Sequence, residues 1–214
     1  MQFAANRSRT LVKICGVRSA DDARRIFDLG ADAVGVVVAG GSPRQVSPDS
    51  AFRIAAIMPT RTVLVGRGDE PDWVDLGRSW PGPVQIHGPG DGLRRSFIRA
   101  LPAGTLPDPA EPTPAASLLD APTAGSGDAW DWAKALSPWP AVPLILAGGL
   151  TPDSVQHAMR AARPWAVDVS SGVERERGRK DLELVRAFLE AVQQCDAAEG
   201  RIADPSPSGF EALR

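Results

Sequence analysis

The chain of 214 residues contains no tyrosine, two cysteines and two histidines. Neither the number nor the spacing of Cys15, Cys195, His87 and His157 supports a zinc site or a disulfide framework, and two reduced thiols are typical of a cytoplasmic protein. No apolar run approaches the roughly 20 residues that cross a bilayer, and residues 1–10 lack the apolar region of a signal peptide. The net charge of −2 favours neither a nucleic acid nor a membrane surface as a partner.

Short apolar runs bounded by turns recur along the chain instead. A run of about five apolar residues is typical of a buried parallel strand. The segments between these runs carry helix signals, such as Ser19, Ser47 and Thr151 as N-caps and Asp181 at the start of an amphipathic helix. We place strands at 11–16, 31–38, 62–65, 84–88, 96–101, 116–120, 142–146 and 165–169.

Eight strands in alternation with helices predict an α/β fold, a single (β/α)8 barrel of the TIM type, over residues 11–196. The helices after strands four and five should be short or irregular, because 89–95 is rich in glycine and 102–114 in proline. We expect residues 1–10 to be a flexible leader and residues 197–214 a disordered tail. An open doubly wound sheet fits eight evenly spaced strands less well.

In such a barrel the carboxyl ends of all strands meet at one mouth. Glycine-containing turns after strands seven and eight are where barrels commonly bind phosphate, through backbone N–H groups. The cysteine at the end of strand one has two interpretations, a reactive thiol or a small buried apolar side chain. The candidate site residues at this mouth are Cys15, Arg44, His87, Asp120, Gly148, Gly149, Asp168, Ser171 and Gly172.

An ordered series of short motifs resembles one family, the phosphoribosylanthranilate isomerases of tryptophan biosynthesis. The motifs span roughly residues 11–192, and the order of the series is more specific than any one of its members. They are K-I-C-G at 13–16, G-A-D-A-V-G at 30–35, S-P-R-Q-V-S at 42–47, V-Q-I-H-G at 84–88, L-L-D at 118–120, G-S-G-D-A-W-D-W at 125–132, A-G-G-L-T-P at 147–152, D-V-S-S-G-V-E at 168–174 and G-R-K-D at 178–181.

The resemblance implies a cofactor-free Amadori rearrangement of N-(5′-phosphoribosyl)anthranilate, an aminoaldose, to the 1-deoxyribulose 5-phosphate aminoketose. It assigns the general base to Cys15 and the general acid to Asp120, and it places Arg44 near the anthranilate carboxylate. A thiol with an ordinary pKa of about 8.5 needs modest help to act as a thiolate, and Lys13 on the same strand face could supply it. Asp168 is a candidate for a ribose hydroxyl, and His87 either lines the mouth or serves structure.

Departures from the family pattern leave the aglycone open. V-V-V-A-G-G precedes the S-P-R motif, and the third strand ends V-L-V-G-R-G. Besides the isomerase itself, two alternatives remain at this point: a relative that isomerises a modified anthranilate glycoside in a specialised pathway, and a non-catalytic phosphosugar-binding barrel. We expect a small phosphosugar–anthranilate substrate as the partner, and either a monomer or a homodimer.

Overall fold

The computed structural model describes residues 9–88, 96–103, 105, 112–120, 131–132, 142–201 and 209–213. Within them, eight parallel strands close into a barrel in chain order, which confirms the predicted (β/α)8 fold. Every neighbouring pair in the barrel is parallel, including β1 with β8. The strands are β1 Leu11–Cys15, β2 Ala33–Val37, β3 Thr62–Arg67, β4 Val84–His87, β5 Ile98–Pro102, β6 Ala116–Asp120, β7 Leu144–Leu146 and β8 Ala166–Val169, followed by an antiparallel hairpin of β9 Glu174–Glu176 and β10 Arg179–Lys180.

Five α-helices pack around this barrel in the described residues. Three begin at the predicted capping residues: the side chains of Ser19, Ser47 and Asp181 accept backbone N–H bonds from the first turn. None of the described helices has both the length and the apolar character needed to cross a membrane. The helices are α1 Ala20–Asp28, α2 Pro48–Ala55, α3 Trp73–Ser79, α4 Val155–Ala162 and α5 Leu182–Ala198.

Two helix predictions differ from the structure in detail. The helix expected to begin at Thr151 begins at Val155, because residues 151–154 form a separate turn in which Thr151 Oγ1 accepts the N–H of Ser154 at 3.2 Å. On α5, Leu184 was expected on the apolar face but is 36% exposed. The expected short helices after β4 and β5, and the loop and helix expected at 123–132, fall mostly outside the described residues.

Hydrogen bonds and ion pairs hold both ends of the barrel segment in place. Arg9 pairs with Asp32, and the backbone N–H and hydroxyl of Thr10 donate to the Asp196 carboxylate at 2.6 and 2.8 Å. Arg201 Nη1 donates to Thr10 Oγ1 at 2.9 Å. These contacts hold residues 9 and 10, the last two residues of the expected flexible leader.

Parts of the segment expected to be a disordered tail are also described by the structure. Helix α5 continues to Ala198, and Phe210–Leu213 forms a 3-10 helix with Phe210 only 1% exposed. The polar, proline-containing stretch before this helix suggested disorder, but an aromatic and an aliphatic side chain three residues apart supply apolar surface to bury.

Candidate active site

A cavity of about 650 Å³ opens at the carboxyl end of the barrel. In the described part of the chain, no group of three or more His, Cys, Asp or Glu side chains is placed to hold a metal ion. The cavity is lined by eight of the nine predicted site residues, and Gly172 is the one that is not among its lining residues. The eight are Cys15, Arg44, His87, Asp120, Gly148, Gly149, Asp168 and Ser171.

A buried ion pair lies beneath Cys15. Lys13 is fully buried, and its Nζ donates to Oδ1 of Asp168 on the neighbouring strand at 2.9 Å. Burial works against the ammonium, yet attraction to Asp168 and Cys15 raises the net pKa of Lys13. Asp168 therefore has a structural partner in the barrel besides its predicted contact with a ribose hydroxyl.

Gly35 provides the space that this arrangement needs. It pairs with Cys15 across β1 and β2, and a Cβ at this position would lie 2.8 Å from Cys15 Sγ and 3.1 Å from Lys13 Nζ. An alanine would force the thiol or the ammonium to move. The motif at 30–35 contains this glycine, but its role depends on contacts between strands that the sequence does not display.

Burial raises the pKa of the Cys15 thiol above its ordinary value, although the ammonium groups of Lys13 and Lys180 lower it. The thiol is therefore protonated at neutral pH in the free protein. This differs from the expectation that modest help would suffice to form a thiolate. A thiolate at this position is therefore disfavoured by burial and favoured by the two ammonium groups.

The predicted Arg44 is nearly buried and is held by a carboxylate. Its Nε and Nη2 donate to the two carboxylate oxygens of Glu174 at 2.8 and 2.9 Å. Gly16, with φ +81°, leaves the room that the Arg44 stem occupies. A bidentate pair of this kind fixes the plane of the guanidinium at the cavity wall.

The same carboxylate binds a second cation. Lys180 Nζ donates to Glu174 Oε1 at 2.8 Å and to the Ser170 carbonyl at 2.9 Å, and Ser170 Oγ donates to the Cys15 carbonyl at 3.0 Å. Burial raises the pKa of Glu174, but hydrogen bonds from Arg44 and Lys180 outweigh burial and lower it to about 2. These contacts connect Arg44 to the end of β1.

Sequence reasoning missed Glu174 and Lys180 as site residues. Both lie inside motifs that matched the family, at 168–174 and 178–181. No periodicity or spacing indicates that an acid and a base from a short hairpin would meet an arginine from the loop after β2. Only their charges and their position after β8 could have suggested it.

The two turns predicted to bind phosphate lie against each other. Gly148 and Gly149 have φ of +83° and +66°, which few residues other than glycine adopt. A Cβ at Gly172 would overlap the carbonyl oxygen of Leu150. Glycine at that position therefore lets the turn after β8 pack directly on the turn after β7.

His87 lies at the cavity wall as a neutral imidazole. Burial, together with the positive charges of Lys13 and Arg67, lowers its pKa to about 4. Its Nε2 lies 3.1 Å from Gln85 Nε2, and Oε1 of the buried Gln85 has no hydrogen-bond partner within the described residues. His87 is therefore uncharged near neutral pH in the free protein.

The loops after β2 and β3 are attached to each other. The backbone N–H of Gly40 donates to Glu70 Oε1 at 2.7 Å, and Arg67 forms an exposed ion pair with Asp69 at 2.8 Å. Gly40, Arg67 and Asp69 all line the cavity. The stretches that depart from the family pattern therefore meet on one side of the mouth.

The sequence matches a known protein family over most of its length. The family model described as N-(5'phosphoribosyl)anthranilate (PRA) isomerase matches residues 12–191. A relative from Natronomonas pharaonis, named N-(5'-phosphoribosyl)anthranilate isomerase, is 37% identical over 87% of this chain and 99% of its own length.

Solved structures agree with the match. Phosphoribosyl anthranilate isomerase from Thermus thermophilus is 34% identical, with a TM-score of 0.75 over 86% of this chain and 99% of that one. A phosphoribosyl anthranilate isomerase in complex with reduced 1-(o-carboxyphenylamino)-1-deoxyribulose 5-phosphate is 30% identical, with a TM-score of 0.69 over the same shares. Because a family model and nearly whole relatives match most of its length, the chain belongs to the phosphoribosylanthranilate isomerase family.

Proposed function

We propose that this chain isomerises N-(5′-phosphoribosyl)anthranilate with Cys15 as general base and Asp120 as general acid. The observation that carries the proposal is the position of the two groups. They end β1 and β6, three strands apart around the barrel, and both line the same cavity. A sugar ring bound between them would present its ring oxygen to one group and its C2 hydrogen to the other.

The first step is opening of the furanose ring. A protonated Asp120 donates its proton to the ring oxygen, and the anthranilate nitrogen becomes part of a protonated imine. This step leaves the net charge of the cavity unchanged but separates charge, because the substrate becomes an iminium cation while Asp120 becomes a carboxylate.

The second step removes the proton on C2. Cys15 first loses its thiol proton to solvent, and the thiolate then accepts the C2 proton. The enolamine that remains tautomerises to the aminoketose as the proton of its hydroxyl is lost and C1 gains one. In the free protein burial holds the pKa of Cys15 high, and the iminium cation opposes that effect by favouring the thiolate. Lys13 and Lys180 act in the same direction as the cation.

We assign the anthranilate carboxylate to Arg44. The guanidinium lines the cavity, and Glu174 occupies its Nε and Nη2. No described residue hydrogen-bonds the remaining Nη1, which would donate to the substrate carboxylate. Glu174 fixes the orientation of the group and balances part of its charge, so one guanidinium serves both carboxylates.

We assign the substrate phosphate to the adjoining turns of Gly148–Gly149 and Ser171–Gly172. Backbone N–H groups in glycine turns bind anions without a titrating side chain. The test compares Gly149→Asp with Gly149→Ala. Two constants are measured for each variant: KM for the substrate and the inhibition constant for inorganic phosphate. The aspartate variant should raise KM about tenfold or more beyond the alanine variant, because both share the backbone strain and only one adds a negative charge. Equal constants in the two variants would argue against this phosphate site.

The reaction itself is tested by complementation. A strain without the isomerase, grown in medium without tryptophan, should grow when it carries this chain and should not grow when it carries the Cys15→Ala variant. Purified chain should also convert N-(5′-phosphoribosyl)anthranilate in the absence of any added metal or cofactor. Failure of both assays with folded protein would reject the activity and favour a modified aglycone or a binding role.

A further inference from the structure

The interior of the barrel is lined by small side chains at the end opposite the cavity. Ala33, Ala116 and Ala166 are the first residues of β2, β6 and β8, and all three are fully buried in the interior apolar cluster. TIM barrels usually fill their interior layers with bulky branched residues. Alanines at the amino end of three strands therefore leave room that the strands themselves do not fill.

The C-terminal 3-10 helix fills this room. Phe210 and Leu213 are 1% and 5% exposed, and both belong to the interior cluster that contains these alanines. The Phe210 ring lies 5.2 Å from the ring of Trp165, centroid to centroid, at an angle of 52°. Trp165 directly precedes β8, so the segment lies at the amino end of the strands.

A second contact gives the same location. Thr60 Oγ1 lies 3.5 Å from Glu211 Oε1, and Thr60 belongs to the turn Pro59–Arg61 that directly precedes β3. The segment thus contacts two positions on the barrel rim, before β3 and before β8. The matched family region ends at residue 191, so this helix lies outside the part of the chain that the family model describes.

We propose that the amino end of the barrel is a docking site for an apolar peptide segment, and that residues 209–213 of this chain are its occupant. The segment acts as a closing element: it removes apolar surface from water and stabilises the barrel, and it takes no part in the reaction. Its recognition elements are an aromatic side chain and an aliphatic one three residues later, on a short helical turn.

The first test uses the full chain. Phe210→Ala should lower Tm on the order of 10 °C, and Leu213→Ala by a smaller amount, because both variants empty a packed space. Ala212→Ser is the matched control within the helix, since Ala212 is exposed. Phe52→Ala is the control for loss of a phenyl ring, because Phe52 is 38% exposed although it lies against Trp80. Both controls should shift Tm by no more than about 2 °C.

The second test separates docking from general stability. Chain ending at Arg201 should melt lower than the parent, and a synthetic peptide of residues 209–214 should raise its Tm in a concentration-dependent way. The same peptide with alanine in place of Phe210 should not. If the shortened chain does not fold, the Phe210→Ala and Leu213→Ala variants of the full chain carry the test alone.

Three results would overturn the proposal. One is a Tm for Phe210→Ala that equals that of the controls. Another is a folded shortened chain whose Tm does not respond to the peptide. The third is a folded Phe210→Ala protein whose kcat/KM at 25 °C falls more than about threefold, since a closing element at the amino end should leave the cavity unchanged.

Discussion

The two ends of the barrel interior differ in the kind of side chain that they bury. At the carboxyl end, Lys13, Glu174 and Lys180 are buried charged groups, all held by ion pairs. Inside the barrel at the amino end, alanines and the ring of Phe210 form an apolar layer, and the ion-paired carboxylates at this end, Asp32 and Asp196, do not belong to it. Burying charge is costly unless it is paired, whereas burying apolar surface is favourable. The contrast indicates that the carboxyl end carries the chemistry and the amino end carries stability.

The largest effect should come from the catalytic pair. Cys15→Ala should lower kcat by about 10²–10⁴-fold with little change in KM, because the base acts only in the transition state. Asp120→Asn should behave alike, since an amide keeps the shape but donates no acidic proton. Cys15→Ser should restore little activity, because a hydroxyl is a far weaker source of base near neutral pH. The measurement is steady-state kinetics and Tm on one preparation.

The pH dependence gives a sharper form of the same prediction. Because burial raises the pKa of Cys15 and the base acts deprotonated, kcat/KM should increase as pH rises from neutral toward that pKa. Full activity in the Cys15→Ala variant would show that Cys15 is not the general base. A fall in Tm with unchanged turnover would make Cys15 a packing residue and would weaken the contrast between the two ends.

An intermediate effect should follow from Glu174→Gln. The change removes the anchor of Arg44 and leaves Lys180 without its carboxylate, so kcat/KM should fall about 10- to 100-fold, chiefly through KM. Glu176→Gln on the same hairpin is the control, because its ion pair with Arg179 is exposed and such pairs contribute little. Equal kinetics for the two variants would show that the buried pair does not position Arg44.

The smallest effect concerns the dependence of stability on pH. The pKa of His87 is about 4 in the folded protein, below its ordinary value of 6.5. Between these values the unfolded chain binds a proton that the folded protein does not, so stability falls as pH drops from about 6.5 toward 4.

His87→Asn should remove this loss. After a discount for partial exposure of the ring, the variant should retain about 1–2 kcal/mol more of its neutral-pH stability at about pH 5. His157→Asn is the control, because His157 lies exposed on α4. Urea unfolding at neutral pH and at about pH 5 measures the free energy of unfolding of each protein. An equal loss of this free energy in the parent and in His87→Asn would contradict the prediction.

Much of the fold could be predicted because its signals are local. Each strand is an apolar run, and capping residues such as Ser19, Ser47 and Asp181 interact within the first helical turn. The start of α4 was misjudged because Thr151 caps a separate turn rather than the helix itself. Residues at strand ends, such as Cys15 and Asp120, could be assigned to one mouth because parallel strands all point the same way.

The sequence by itself determined the strand order, the closed barrel and the polar residues that end its strands, since these depend on local pattern and on chain direction. Only the tertiary structure decided which side chains from remote parts of the chain contact each other. Gly35 makes room for a thiol on another strand, Glu174 binds Arg44 across 130 residues, and Phe210 returns to the far end of the barrel. Such contacts depend on distances between segments remote in sequence, which no periodicity or spacing along the chain encodes.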